Sequence, residues 1–363
     1  MSGNPQTKKA LRQLYAAIAQ NYGLDRPEDV HSTFAIDPSI EQRLEQKMTE
    51  QVGFLNQVNV MPVDQLQGEV LGLFADQMIG SGIANGDIRR NPADISGLDS
   101  RFFQLYETLF DTKMGWAKLD TWAKFPNFMQ LYSNAVAIAI ALTRIAIGFN
   151  GDHRFAGAAS DKATYRLGQD LNIGWLERLR LTRPDHVMGR ETVTAGGVTT
   201  ATGAADPIHV HADAEYKNLD ALAYDLIAGL PSWARMSTEL VVIVSQNLVD
   251  EKYFPMINRQ LASTIDGGKS TSDQVVSDIV MSAKQIGGRP AAVVPYFPDN
   301  TMFVTPLKNL SLYYQSGSRR RYLKDEPEYR RHADYNSANE GYVIESTDHA
   351  ALAENITFTD PTP

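Results

Sequence analysis

The sequence predicts an α+β fold, and three features carry that reading. One long helix is written between Trp122 and Gly151. Short strands separated by turns run from Pro290 to Ser346. Between residues 58 and 116, strand-like stretches flank a glycine-rich run, the pattern of a long two-stranded excursion.

From the N-terminus, residues 6–22 form a basic amphipathic helix, with Leu11, Leu14, Tyr15, Ile18 and Tyr22 on one face. Lys8, Lys9 and Arg12 lie off that face, and Gly23 is its stop. Polar residues interrupt it, so it contains no continuous apolar core of a signal peptide. So short a helix cannot bury its stripe unaided. A membrane surface, the chain's own core and a partner protein are the candidates, and a groove on a partner is the expectation. Residues 24–38, with prolines at 27 and 38, read as a linker, and 40–54 as a second helical or extended arm. Residues 58–63 and 69–74 alternate as strands do. From Ala75 to Phe102 the pattern dissolves around Gly80, Gly82, Gly86 and Gly97, with Asp87, Arg89, Arg90 and Asp94 between them. Compact domains keep a structureless stretch longer than ~15 residues only where it has a use. Strand-like chemistry resumes at 105–110 and 114–116, and an isolated ribbon is marginal, so a second chain is expected to support it.

In the long helix, Phe128, Met129, Tyr132, Ala135, Val136, Ala139, Leu142, Ala146 and Phe149 recur at helical steps. Pro126 suits its first turn, and Asn150–Gly151 reads as a left-handed stop. The span is about 24 residues, roughly 36 Å. A membrane crossing is rejected: the run Ala135–Leu142 is far short of the ~20 residues required, and Arg144 lies inside the helix. The helix reads as a strut against which a sheet packs. Further along, 174–181, 219–230, 246–253 and 272–284 read as helices, and 190–202 as a hairpin around Gly196–Gly197. The apolar run 239–245 reads as a buried strand. Shorter strands follow at 290–295, 301–305, 310–314, 319–323, 329–335 and 340–346.

Apolar residues make up 43% of the chain, enough for real cores. The net charge of −9, from 34 basic and 43 acidic residues, argues against a dedicated duplex-DNA binder. With no cysteine, disulfides, thiolate metal sites and cysteine nucleophiles are excluded together. The run Gly80 to Gly86 resembles a dinucleotide loop, which would make the chain a nicotinamide-dependent oxidoreductase. Such a loop needs a buried strand before it and a helix opening after it; neither is written here, and a mobile loop is the better account. His209, His211 and Asp213 alternate at ligand spacing, but a structural site wants four ligands and no third histidine or acidic cluster lies nearby in sequence. Arg319, Arg320 and Arg321 with Arg330, Arg331 and His332 read either as a basic surface facing DNA or as exposed strand positions whose charge blocks stray pairing. No G-x-S-x-G, phosphate loop or H-E-x-x-H is present, so neither catalytic residues nor a cofactor, metal or small-molecule substrate is expected.

Several stretches, in order, carry a resemblance. They are Leu119–Ala123 leading into the helix that ends Gly148–Gly151; Gly174–Leu176; Leu240–Val244 with Lys252–Pro255; Val294–Pro298; and Leu307–Tyr314 followed by Arg320–Arg321. Together they resemble the major capsid proteins of tailed bacteriophages, the P2-like group in particular. The resemblance implies an HK97-type capsid fold whose spine helix is 125–149. It implies an N-terminal scaffold-like segment 1–34, cut by a head protease near Phe34–Ala35, and an N-arm at 35–57. It further implies an extended loop at 58–116, a peripheral domain at 117–218 and 307–363, and an axial domain at 219–306. The inter-subunit loop would carry Gly80, Gly82, Gly86, Asp87, Arg89 and Arg90. The implied partners are copies of the chain, in hexamers and pentamers of an icosahedral head around packaged double-stranded DNA, with a scaffolding protein, a head protease and a portal protein at one vertex. The place would be the virion, assembled in the host bacterial cytoplasm, with no membrane. A cellular compartment shell of the same fold is the rival.

Overall fold

In the computed structural model, which describes residues 5–32, 34–36, 38–50, 52–74, 97–125, 128–258 and 284–358, helix α1 (Pro5–Tyr22) comes first. Gly23, at φ 68°, ends it in the left-handed conformation that glycine adopts without strain. The stretch expected to be a linker is structured. A 3-10 turn over Pro27–His31 leads into strand β1 (Phe34–Ala35) and helix α2 (Pro38–Glu50). Both prolines open helical turns, where the missing N–H has no partner to lose. The α1 stripe needs no partner protein either: Leu14, Ile18 and Ala19 are buried with Val30, Phe34, Ile36 and Leu323 of the same chain.

Strand β2 (Asn59–Val63) precedes β3 (Gln67–Phe74) and β4 (Gly97–Gln104), which pair from Gln67↔Gln104 to Phe74↔Gly97. Residues 97–102, patternless in sequence, are therefore strand, held by the backbone ladder with β3 rather than marked by alternation. The glycine run with Asp87, Arg89 and Arg90 lies outside the described residues, as do residues 272–283 of the expected helix 272–284. Strands β5 (Tyr106–Leu109) and β6 (Thr112–Gly115) lead to α3 (Trp116–Trp122) and the long helix α4 (Phe128–Asn150). Gly151 does not take the expected left-handed conformation. Crowding is what requires glycine there, since a Cβ would stand 2.3 Å from the Asn172 carbonyl oxygen.

Helix α5 (Trp175–Thr182) and strand β7 (Val187–Met188) follow, then the expected hairpin of β8 (Val193–Ala195) and β9 (Val198–Thr200). Its Gly196 and Gly197 sit at φ 60° and 82°, which a two-residue turn of this kind demands. Next come β10 (Ile208–His209), α6 (Leu219–Ala228), α7 (Ser232–Arg235), β11 (Leu240–Val244) and α8 (Gln246–Asn258). Asn218 caps α6 by accepting from the Ala221 N–H at 2.8 Å. The last strands are β12 (Gln285–Ile286), β13 (Arg289–Ala292), β14 (Met302–Pro306), β15 (Leu310–Gln315), β16 (Arg320–Glu326), β17 (Arg331–Ile344), β18 (Ala351–Ala353) and β19 (Ile356–Thr357). Two strands expected at 329–335 and 340–346 are one, because Ser337–Glu340 between them pair with β5.

A seven-stranded sheet is ordered β1-β16-β17-β15-β2, with β5 and β6 also paired to β17. Residues 59–63, 106–109 and 112–115, expected within the excursion, thus belong to this sheet, and the ribbon proper is β3–β4. A six-stranded sheet is ordered β12-β13-β11-β14-β18-β7. Helices α4 and α5 lie at the joint: Ile145, Ile147, Phe149, Trp175 and Leu179 pack on Leu312 and Tyr342 of the first sheet and on Ile243 and Phe303 of the second. A second core places α6 (Leu222, Leu226) on Leu240, Val242 and Val244. Both faces of β11 are covered, which is why its sequence is a continuous apolar run. Trp175 is fully buried and donates its indole N–H to the Ser311 carbonyl at 3.0 Å. Gly148 lets that ring approach α4, since a Cβ there would stand 2.3 Å from it.

Candidate assembly surface

Helix α4 is long and apolar enough to cross a membrane by length and composition alone. Its C-terminal half, from Ile140 onward, is the buried part, and Arg144 within it is completely enclosed. The Arg144 Nη1 donates to Glu45 Oε2 at 2.6 Å and Nη2 to Glu45 Oε1 at 3.0 Å. Its Nε and Nη2 donate to Glu340 Oε1 at 3.0 and 2.5 Å. Arg319 adds a second cation, 2.9 Å from Glu45 Oε1. Two guanidiniums and two carboxylates thus balance in the interior and tie α2, α4 and β17 to the turn before β16. Burial works against the Glu45 carboxylate, but Arg144 and Arg319 outweigh it and hold its pKa below the ordinary value. Glu41 stands one turn earlier on α2 and accepts from the Gly317 N–H at 2.7 Å. There burial dominates and raises the pKa.

The expected basic surface is largely interior. Arg319 and Arg321 are buried, the latter donating to both Asp334 oxygens at 2.9 and 2.6 Å and to the Tyr22 hydroxyl at 2.8 Å. Arg331 donates to Glu326 at 2.6 Å, and only Arg320 and Arg330 of the five are exposed. Acidic residues on the paired strands β16 and β17 consume the charge, and Glu326 and Asp334 in the same stretch were the available signal. Phe34 and Ala35 lie in β1 opposite Arg321 and Arg320, with Phe34 buried. His209 ends β10, and its ring meets that of His211 edge to face at 6.2 Å.

The surface left unfinished is apolar. Trp122, Phe125, Leu131 and Ile138, on α3, the connection after it and the N-terminal half of α4, are exposed. Tyr224 and Met236 are exposed around α6 and α7. Phe102, at the base of the ribbon, is 72% exposed. The Trp122 and Phe125 rings lie 6.0 Å apart, and exposed apolar side chains clustered as they are mark protein contact surface. The ribbon base is anchored firmly. Phe103 meets Tyr313 edge to face at 5.2 Å in a cluster with Val70, Leu105 and Val343. Arg101 donates to the Ile344 carbonyl at 2.9 Å and the Glu345 carbonyl at 2.5 Å. The ribbon thus has a fixed base, and its two strands pair only with each other among the described residues.

Comparison with known proteins gives one direction. A sequence model of the phage major capsid protein, P2 family, matches residues 10–356. The capsid protein of Escherichia phage P2 is 33% identical over 357 residues, covering 98% of this chain and 96% of that one. The major capsid protein of Serratia phage KSP20 is also 33% identical, covering 92% of each. Among solved structures, a chain of the satellite phage P4 procapsid, a particle that includes size determination (Sid) protein, aligns with a TM-score of 0.75 at 32% identity. It covers 95% of this chain and 98% of that one. A capsid chain of an empty GTA particle shares the fold at a TM-score of 0.50 and 14% identity, covering 85% and 90%. The oxidoreductase reading drawn from Gly80–Gly86 is overturned by these relatives, which are capsid proteins over nearly their whole length.

Proposed function

The chain belongs to the P2 family of phage major capsid proteins, and on that premise we propose how its parts build the shell. It has the HK97-type capsid fold, forms the capsid of a P2-like phage and is part of the virion. In our reading the subunits form hexamers and pentamers of an icosahedral head enclosing double-stranded DNA, assembled in the host cytoplasm with a scaffolding protein, a head protease and a portal. Residues 1–34 act as a scaffold-like segment removed near Phe34–Ala35, and 35–57 as the N-arm. The extended loop falls within 58–116, its arm being the β3–β4 ribbon, and the stretch of chain between those two strands carries Gly80, Gly82, Gly86, Asp87, Arg89 and Arg90. The peripheral domain is 117–218 with 307–363, and the axial domain 219–306. Arg320 and Arg330 are the residues of the basic stretches left to meet DNA.

The observation that carries the assembly reading is the ribbon, anchored at Arg101 and Phe103 and paired with no other strand among the described residues. A shell subunit distributes its binding over many copies, so projecting elements with little support of their own are expected of it. Deleting Ala75 to Asp94 tests this. The subunit should remain folded and soluble, and negative-stain microscopy should show no closed shells. Normal particles from that deletion would remove the ribbon from the assembly mechanism.

A further inference from the structure

Beside the ribbon base lies a cavity of about 260 Å³, walled by Val70, Val343 and Thr347, with Phe102 at its side. Two arginines, Arg101 and Arg178, also line it. The Arg101 guanidinium is fixed by the two carbonyls at the end of β17. Arg178, on α5, is different. Its Nε is shut off from solvent with no hydrogen-bond partner, and no carboxylate among the described residues pairs with it. Burial pulls its pKa down to about 10, so it remains a cation at neutral pH. Arg180, two residues on, shows what the same helix does when a charge belongs to the subunit interior: it is bound by Glu177 and Glu354. Arg178 as a whole is partly buried, and a cation whose Nε is enclosed without a partner costs the fold stability until a counter-charge completes it.

We propose that this cavity receives an aspartate or glutamate side chain from a second copy of the chain, so that Arg178 acquires its counter-charge only in the shell. The proposal rests on the shell-forming role. Acidic residues outnumber basic ones by 43 to 34, so copies meet with carboxylates in excess and need cationic receptors. A single carboxylate-bearing side chain fits a recess of this size. A duplex backbone does not, because it presents its phosphates along an open groove rather than into a pocket walled by valines. Phe102 at the same pocket supplies apolar area that would exclude water from the pair, which strengthens it.

The test is Arg178→Gln, read separately on free subunits and on shells. Unassembled Arg178→Gln subunits should melt at the same or a higher temperature than the parent, because a partly buried, uncompensated charge is gone. The subunit concentration needed for assembly should rise by roughly tenfold, with Arg178→Lys recovering part of the loss. Parent shells assembling normally while Arg178→Gln shells also assemble normally would overturn the pocket and leave the family role intact. A lower melting temperature of the free subunit with unchanged assembly would make Arg178 a packing residue. A defect confined to DNA-filled particles would assign the pocket to phosphate instead. If the variant does not fold, cryo-electron microscopy of parent shells decides: a neighbour's carboxylate oxygen should lie within about 4 Å of the guanidinium, and its absence refutes the proposal.

Discussion

Arg144 and Glu45 meet end to end across the joint between the long helix and the N-terminal arm, Nη1 to Oε2 at 2.6 Å and Nη2 to Oε1 at 3.0 Å. Both side chains are buried, and Arg319 and Glu340 complete a charge-balanced group around them. Glu45→Gln removes one negative charge and leaves two guanidiniums against one carboxylate in the interior. Breaking a buried pair from one side costs about 3–5 kcal/mol. Urea unfolding of the free subunit should show a loss of that size; a change under ~1 kcal/mol would mean the group contributes little.

Acidification separates the buried carboxylates by sign. The pKa values of Glu45 and Glu354 are held down by arginines, against burial. Their contribution is present above the unfolded glutamate value and is lost as pH falls through the lower folded value. Glu41 runs the other way: burial raises its folded pKa, so its charge costs stability at neutral pH and protonation relieves that cost. Melting temperatures of the parent should therefore fall below about pH 4.3, the ordinary glutamate value. Glu41→Gln should melt above the parent at pH 7, with the gap closing on acidification. An equal deficit at both pH values would show that the Gly317 hydrogen bond, not the charge, is what matters at Glu41.

Gly148 is the contact point between the long helix and Trp175. A Cβ at Gly148 would stand 2.3 to 2.8 Å from three ring atoms of a side chain fixed by its own hydrogen bond. Gly148→Ala should cost about 1–3 kcal/mol through overpacking and shift the tryptophan emission. Gly53→Ala is the control: nothing lies within 4 Å of the added carbon, so its unfolding midpoint should not fall.

Much of this was legible because the signal was local. The long helix, the Gly196–Gly197 turn and the β11 run each declare themselves within a few residues. What the sequence hid depends on partners far along the chain. Arg319 read as part of a basic surface because its partner Glu45 lies some 270 residues earlier, whereas Asp334, the partner of Arg321, stood in the same stretch and was legible. The 24–38 stretch read as a linker because it is polar and carries prolines at 27 and 38, although Val30, Phe34 and Ile36 close on Leu323. Arg178 carries no sequence signal at all, since nothing local distinguishes it from the paired Arg180.

The N-terminal segment gives the last prediction, and two observations set its direction. Leu14, Ile18 and Ala19 belong to a small cluster separate from the core around Trp175, so removing residues 1–34 leaves that core intact. The same removal uncovers Ile36 and Leu323 and takes the Tyr22 hydroxyl from Arg321. It also opens the side of α3 and α4 where Leu11 and Leu14 face Leu119 and Val136, next to the already exposed Trp122 and Phe125. The truncated subunit should therefore unfold cooperatively and keep most of its far-UV helix signal, yet bind a hydrophobic dye more strongly and assemble with lower fidelity. Loss of the whole helix signal would instead make α1 part of the folding core. Unchanged dye binding would mean that the N-terminal segment does not cover this face in solution.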